Sequence, residues 1–336
     1  MKPLHELPKT DLHVHLDGSM RLETVLELAR ALPADQRPMP VAGIEKAVHP
    51  PQRCTLEEYL RAFSITVSVL QTQQALERAT YELCADAAAE NVAYMEIRFG
   101  PLLHTEQGLT PRAVVEAVIS GARQAQADHE IRVGIILAAL KNESTERSME
   151  VAQLAAQFAG KGVVAFDLAG PEQGFSPRLH REAIDFVHAA GVHLTLHAGE
   201  SCCPEHIREA LDLGTDRIGH GVYLYQNAKT EARIAKSKTP LEVCPTSNLQ
   251  ISGVIDTYAD HPLKRYLDLG IPITLNTDNR LMSAISMTQE YERVVDAFSL
   301  TEDTVRTLAE NGVRAAFAGD DVKAAVQESI SAFFAS

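Results

Sequence analysis

Residues 10–18 read TDLHVHLDG, a β-like run that carries two imidazoles two residues apart. Alternate side chains of a strand share a face. His13, His15 and Asp17 therefore project together, while Leu12, Val14 and Leu16 point the other way. Such a run buries one apolar face and commits the other to something polar. Seven further β-like segments follow: YMEIRF (94–99), RVGIILAAL (132–140), VVAFDLAG (163–170), HLTLHAGE (193–200), RIGHGVYL (217–224), LEVCPTSN (241–248) and PITLNTDN (272–279). Amphipathic helical patterns lie between the later ones, such as PRAVVEAVISGARQAQ (111–126), SPRLHREAIDFVHAAG (176–191) and PEHIREALDLG (204–214). Strands that alternate with helices imply a parallel sheet with crossover helices. Eight such repeats fit a closed (β/α)8 TIM barrel. The competing open, doubly wound sheet announces itself with a Gly-rich phosphate turn, and no G-x-G-x-x-G or Walker-type sequence follows any strand.

Residues 1–336 read as one barrel domain, without low-complexity tract, linker or compositional shift. The first two strands stand about eighty residues apart, far beyond a usual βα connection. A helical insertion over about 19–90 is expected there, with helical patterns at 20–32, 55–72 and 72–90 and a Pro-rich stretch after the first. Placed after a barrel strand, it belongs at the C-terminal face, where barrel active sites lie. Leu56, Leu60 and Phe63 either roof a pocket there or pack on the barrel's outside.

The apolar fraction of 45% and charged fraction of 23% are those of an ordinary soluble globular protein. A formal charge of −14, from 31 basic and 45 acidic residues, argues against nucleic acid or an anionic membrane as partner. MKPLHELPKT lacks a secretory h-region, and no run of ~18 apolar residues could span a bilayer. The five cysteines (54, 84, 202, 203 and 244) form no C-x-x-C pair. An odd count without a leader reads as reduced cytoplasmic thiols. The vicinal Cys202-Cys203 pair is either a ligand or redox site or, as the commoner case, inert packing.

Polar residues recur where the strands end: His13, His15 and Asp17, then His197 and Glu200, then His220, then Asp278. A closed barrel brings such ends to one mouth. Three histidines and an aspartate are the N/O donors a divalent first-row metal prefers, zinc above all. Glu200, beyond an Ala-Gly turn, suits proton transfer beside a metal-bound water. Its alternative is an N-cap or first-turn acid stabilising the helix that begins near Pro204. The glycines flanking His220 imply close approach to the backbone there, although an ordinary barrel-interior histidine remains open.

TDLHVHLDGS, YMEIRFGP, LAG, HAGE, RIGHG, CPTSN and NTDN, in that order, resemble the motif series of the adenosine deaminase family of metal-dependent amidohydrolase barrels. The match runs from about Thr10 to Asn279, with NGVRAAF (311–317) near the end. The resemblance implies one zinc ion per subunit, held by His13, His15, His197 and Asp278. It makes Glu200, His220 and Asp278 catalytic: Glu200 protonates the purine N1, His220 orients and helps deprotonate the zinc-bound water, and Asp278 ligates and assists. His15, Asp17, Gly170 and Asn279 would meet the substrate, with Asp17 on the ribose and the Gly170 N–H on the purine N3. The implied reaction is attack of metal-bound hydroxide at C6 of adenosine or 2′-deoxyadenosine, releasing ammonia. The implied partner is a small-molecule purine nucleoside, with the oligomeric state open and a monomer included.

Many family members carry Asp-Asp-Pro where this chain has Asp278-Asn279-Arg280. The second acid meets the purine N7, an acceptor, and an Asn amide donates to it without needing a proton. Arg280 is expected to add a cation near the mouth. That admits a second reading, the same reaction on an N6-substituted adenine nucleotide or an aminodeoxyfutalosine-type nucleoside. A third is a catalytically silent nucleoside-binding protein on the same barrel. The other zinc deaminase design, H-x-E with P-C-x-x-C, is absent, and the fourth strand has no lysine to bridge a second metal.

Overall fold

The computed structural model describes residues 2–251, 253 and 255–335. Eight parallel strands pair in chain order: β1 (Lys9–His15), β2 (Val92–Phe99), β3 (Arg132–Leu140), β4 (Val163–Ala169), β5 (His193–Ala198), β6 (Arg217–His220), β7 (Leu241–Val243) and β8 (Ile273–Leu275). Each overlaps one of the eight segments read from sequence, and the (β/α)8 barrel is the fold. Several strands stop where their polar residues begin. Asp17 and Asp278 thus stand beyond the ends of β1 and β8, on the connecting backbone.

The barrel closes through a narrow seam. Between β1 and β8 the single described bridge is Val14 with Asp278. There the His15 N–H donates to the Asp278 carbonyl at 2.7 Å, and the Asp278 N–H donates to the His13 carbonyl at 2.8 Å. The Leu12 N–H adds a bond to Asn276 Oδ1 at 2.8 Å. The backbone that completes the barrel is therefore the backbone that carries three of the site residues.

Strands buried on both faces usually read as apolar runs, and Leu12, Val14 and Leu16 follow that rule. The barrel interior departs from it with Glu96, Arg98, Asp167, Arg217 and Glu242, all buried. Arg98 donates to Asp167 at 3.0 Å and to Glu242 at 2.8 Å. Arg217 donates to Glu242 at 2.6 Å and to Glu96. Buried charges persist only when paired and hydrogen-bonded. This network meets that condition directly beneath the mouth.

Four helices occupy the long interval after β1: α1 (Leu22–Ala31), α2 (Val41–Ala47), α3 (Leu56–Val69) and α4 (Gln73–Ala88). The patterns expected at 20–32, 55–72 and 72–90 correspond to α1, α3 and α4. The short α2, near the Pro-rich stretch, had no such pattern. A capping box starts α3, with Thr55 and Glu58 exchanging bonds. Leu56, Tyr59 and Ala62 of α3 pack with Cys54, Ile251 and Met282 into a small apolar cluster separate from the main core. By contrast, α4 packs on the helix Pro111–Asp128 at the barrel's outside. Among the described residues no helix is long and apolar enough to cross a membrane.

Candidate active site

His13, His15, His197 and Asp278 converge. His15 Nε2 lies 3.3 Å from His197 Nε2. Asp278 Oδ1 lies 3.5 Å from His13 Nε2 and 3.4 Å from His15 Nε2. A tetrahedron of donors about 2.0–2.1 Å from zinc has edges of roughly 3.3–3.4 Å. These three edges have the length of those in a zinc site, and His13 Nε2 is buried there without a hydrogen-bond partner. The three histidines form one of the groups able to hold an ion. His15→Ala is expected to lower the bound divalent-metal content measured by atomic emission, with the fold retained by circular dichroism.

The other nitrogens of two of these rings are committed. His13 Nδ1 bonds Glu242 Oε2 at 2.8 Å, and His197 Nδ1 lies 2.9 Å from Asp167 Oδ2. A carboxylate on Nδ1 fixes the proton there and leaves Nε2 free as a ligand. Burial would raise the Glu242 pKa, but the Arg98 and Arg217 charges hold it well below the carboxylate range. Burial lowers the pKa of His15 and of His197, and neutral imidazole is the form that binds metal. Neither Asp167 nor Glu242 stood out in the sequence reading. The signal was there, since each is an acid inside an otherwise apolar strand.

The turn after β5 presents Glu200. Gly199 takes φ +67, and a Cβ on it would fall 2.4 Å from Ile207, so a side chain there would be strained and would displace Ile207. The buried Glu172 carboxylate accepts N–H bonds from Gly199, Glu200, Ser201 and Cys202 at 2.6, 2.9, 2.9 and 3.3 Å. Lys141 Nζ sits 3.9 Å from Glu172. Nothing in the sequence reading pointed to Glu172, whose hydrogen bonds here all go to backbone N–H groups. The Glu200 side chain lines the inner cavity. The helix Pro204–Asp212 takes no side-chain cap, so the helix-capping alternative for Glu200 is not what the structure shows. Burial, then the Asp278 and Glu172 charges, push the Glu200 carboxyl well above its usual range.

The expectation of five free thiols is corrected here. Cys202 and Cys203 are joined by a disulfide, while Cys54, Cys84 and Cys244 are free and buried. Cys203 adopts φ 60, the left-handed turn in which these neighbouring sulfurs meet.

His220 and Asp278 are also held at positive φ, 65 and 60. Non-glycine residues pay about 1–3 kcal/mol for such conformations and cluster at functional sites. Gly219 explains part of the RIGHG motif, since a Cβ there would lie 3.0 Å from the His13 ring. The CPTSN motif holds both residues. Ser247 Oγ donates to Asp278 Oδ2 at 2.5 Å, and Asn248 Nδ2 lies 3.1 Å from His220 Nδ1.

Above the donors, an inner space of about 30 Å³ is lined by His15, Tyr59, Phe63, Gly170, Glu200 and Asn279, among others. It adjoins a chamber of about 560 Å³ whose wall includes Asp17, Leu60, Phe63, Asn142 and Gly170. Asp17 Oδ1 is buried there without a partner, and burial raises its carboxyl to about 7. Arg280 is a second correction. Its guanidinium pairs with Glu90, which lies between α4 and β2 and also accepts the Thr288 N–H at 2.8 Å. It adds no cation to the cavity wall, where Arg61 is the one lysine or arginine among the described residues.

A family model described as adenosine deaminase matches residues 8–333. The adenosine deaminase of Clostridium kluyveri is 37% identical over 337 residues, covering 98% of this chain and 96% of the relative. Among solved structures, the N6-mAMP deaminase of Arabidopsis superposes with a TM-score of 0.90 at 30% identity, covering 99% of this chain and 100% of that one. An amidohydrolase from Burkholderia ambifaria with bound Zn gives 0.88 at 26% identity, covering 99% and 92%.

Proposed function

From the premise that this chain belongs to the adenosine deaminase family, a hydrolase that deaminates adenosine, we propose a zinc-dependent purine nucleoside aminohydrolase with His13, His15, His197 and Asp278 as ligands. The observation that carries this reading is the meeting of four donors, with His15 Nε2 3.3 Å from His197 Nε2 and Asp278 Oδ1 3.4 Å from His15 and 3.5 Å from His13, and Glu200 beside them. Zinc, when bound, makes a hydroxide nucleophile available near neutral pH.

The protein's own groups supply the rest. Glu200, whose buried setting raises its carboxyl well above the usual carboxylate range, donates to the purine N1. The ring can then accept the attacking oxygen at C6; the proton of the added hydroxyl passes to the amino nitrogen, and collapse of the tetrahedral carbon breaks the C–N bond, expels ammonia and leaves the 6-oxo purine. A general acid placed this way contributes about 10²–10⁴-fold. Asn279 donates its amide to N7, and the Gly170 N–H donates to N3. Asp17, with an unpartnered oxygen facing the chamber, accepts from a ribose hydroxyl. Phe63 and Leu60 cover the cavity and exclude water, which strengthens every polar contact inside.

The Arabidopsis relative acts on a nucleotide, which keeps that alternative in view. A phosphate needs cations, yet the chamber wall carries Glu57 and Glu106 beside Arg61, and Arg280 is tied to Glu90. Adenosine is therefore expected to exceed AMP and N6-methyl-AMP in kcat/KM by about 100-fold, or ~2.7 kcal/mol. A panel assay of ammonia release with zinc-loaded protein measures this. Comparable rates on the nucleotides would replace the nucleoside assignment, and no turnover of any 6-aminopurine would remove the reaction itself.

A further inference from the structure

The hydrogen-bond chain behind His220 begins at a group whose polarity cannot be reversed. The Leu263 backbone N–H, at the first position of the helix Leu263–Asp268, has no partner within its helix and can only donate. It donates to His261 Nδ1 at 3.0 Å. A neutral imidazole has one donor and one acceptor nitrogen, so the His261 proton sits on Nε2. His261 is buried, and burial lowers its pKa to about 3, so the ring is neutral at working pH. Its Nε2 lies 3.3 Å from Asn248 Oδ1 and donates to it.

That contact fixes the Asn248 amide, oxygen toward His261 and NH₂ toward His220. The amide nitrogen, 3.1 Å from His220 Nδ1, donates and cannot accept. His220 Nδ1 is therefore the acceptor, and the ring's one proton lies on Nε2. His220 Nε2 is buried with no protein partner, 3.7 Å from Glu200 Oε1. It points into the space between Glu200 and Asp278, with which it forms one close group. The opposite tautomer would set the Nδ1–H of His220 against the Asn248 NH₂. Turning the amide over would only move the clash to His261 Nε2–H, and the backbone N–H blocks any further reversal.

We propose that Asn248 and His261 are positioning residues that hold His220 as the Nε2–H tautomer, so that His220 meets the reacting oxygen as a hydrogen-bond donor and accepts no proton. The identity of the reaction rests on the function proposed above; the tautomer does not. Proton acceptance is left to the Asp278 carboxylate, which stands in the same close group, since Glu200 is the donor to N1. Neither residue was legible as functional in the sequence, because each acts only through its neighbour.

The test reads the tautomer directly. Protein labelled with ¹⁵N-histidine and loaded with zinc is examined by long-range ¹H–¹⁵N correlation, with His220 assigned by its loss in His220→Gln. A protonated Nε2 and an unprotonated Nδ1 are expected. A proton on Nδ1, or on both nitrogens, overturns the proposal. Asn248→Asp supplies a kinetic arm, since a carboxylate accepts from both rings and draws the His220 proton onto Nδ1. Unchanged zinc content, a KM within about 2-fold and a kcat lowered about 100-fold are expected, the scale for losing one oriented donor. Retained or increased kcat would show His220 acting as a base and overturn the proposal. If that variant does not fold, the spectrum of the unaltered chain still decides. If the unaltered chain deaminates no adenosine, the proposed function fails while the tautomer is read independently.

Discussion

Glu200→Gln is expected to lower kcat by about 10³-fold, with zinc content, KM and thermal midpoint close to those of the unaltered protein. The substitution is nearly isosteric, and the Glu172 contacts that fix this turn reach its backbone rather than its side chain. What disappears is the acidic proton that burial, then the Asp278 and Glu172 charges, favour on the carboxyl by raising its pKa above the usual range. An amide cannot pass that proton to the purine N1, so attack at C6 would leave the ring electrons unneutralised. A 10³-fold loss corresponds to ~4 kcal/mol of barrier. Steady-state deamination with parallel metal analysis measures it, and near-normal turnover would end the assignment of Glu200 as the acid.

The second large effect concerns stability. Glu242 receives Arg98, Arg217, Thr195 and His13 Nδ1 at 2.8, 2.6, 2.8 and 2.8 Å. Glu242→Leu would leave two buried guanidinium groups short of a partner. Breaking a buried pair from one side costs about 3–5 kcal/mol, to be read from chemical denaturation. The same change frees the His13 ring, so zinc affinity is expected to fall about 10–100-fold. Acid should expose the same network in the unaltered protein. The folded pKa of Glu242 lies below its ordinary value of 4.5. Its contribution is complete above that pH and is lost as pH falls toward the folded value. The variant should lose less stability than the unaltered protein over that acid range. Equal slopes for the two would remove Glu242 from the account.

The barrel was legible because each strand is a short β-like run bounded by turn residues and followed by a helical pattern. The metal donors were legible because they sit at strand ends, which a barrel gathers at one mouth. What stayed hidden depends on direction or on partners distant in sequence. Arg280 stands next to Asn279, yet its side chain turns to Glu90 rather than into the cavity, and adjacency along the chain says nothing of that. Glu172 and Asn248 serve backbone or a neighbouring ring, so neither carries a ligand's signature. The Cys202–Cys203 bond depends on one backbone dihedral that residue type does not specify.

The seam between β1 and β8 has a consequence for biosynthesis. His13 leaves the ribosome some 265 residues before Asp278, about 13–53 s at ordinary elongation rates. Throughout that interval β1 is an open sheet edge, with backbone donors and acceptors that another nascent chain could pair. The proposed donor set is likewise incomplete until then, since His197 follows His13 by 184 residues and Asp278 comes last. Release of a chain truncated before Asn276 should yield a species prone to aggregation, not a weak enzyme.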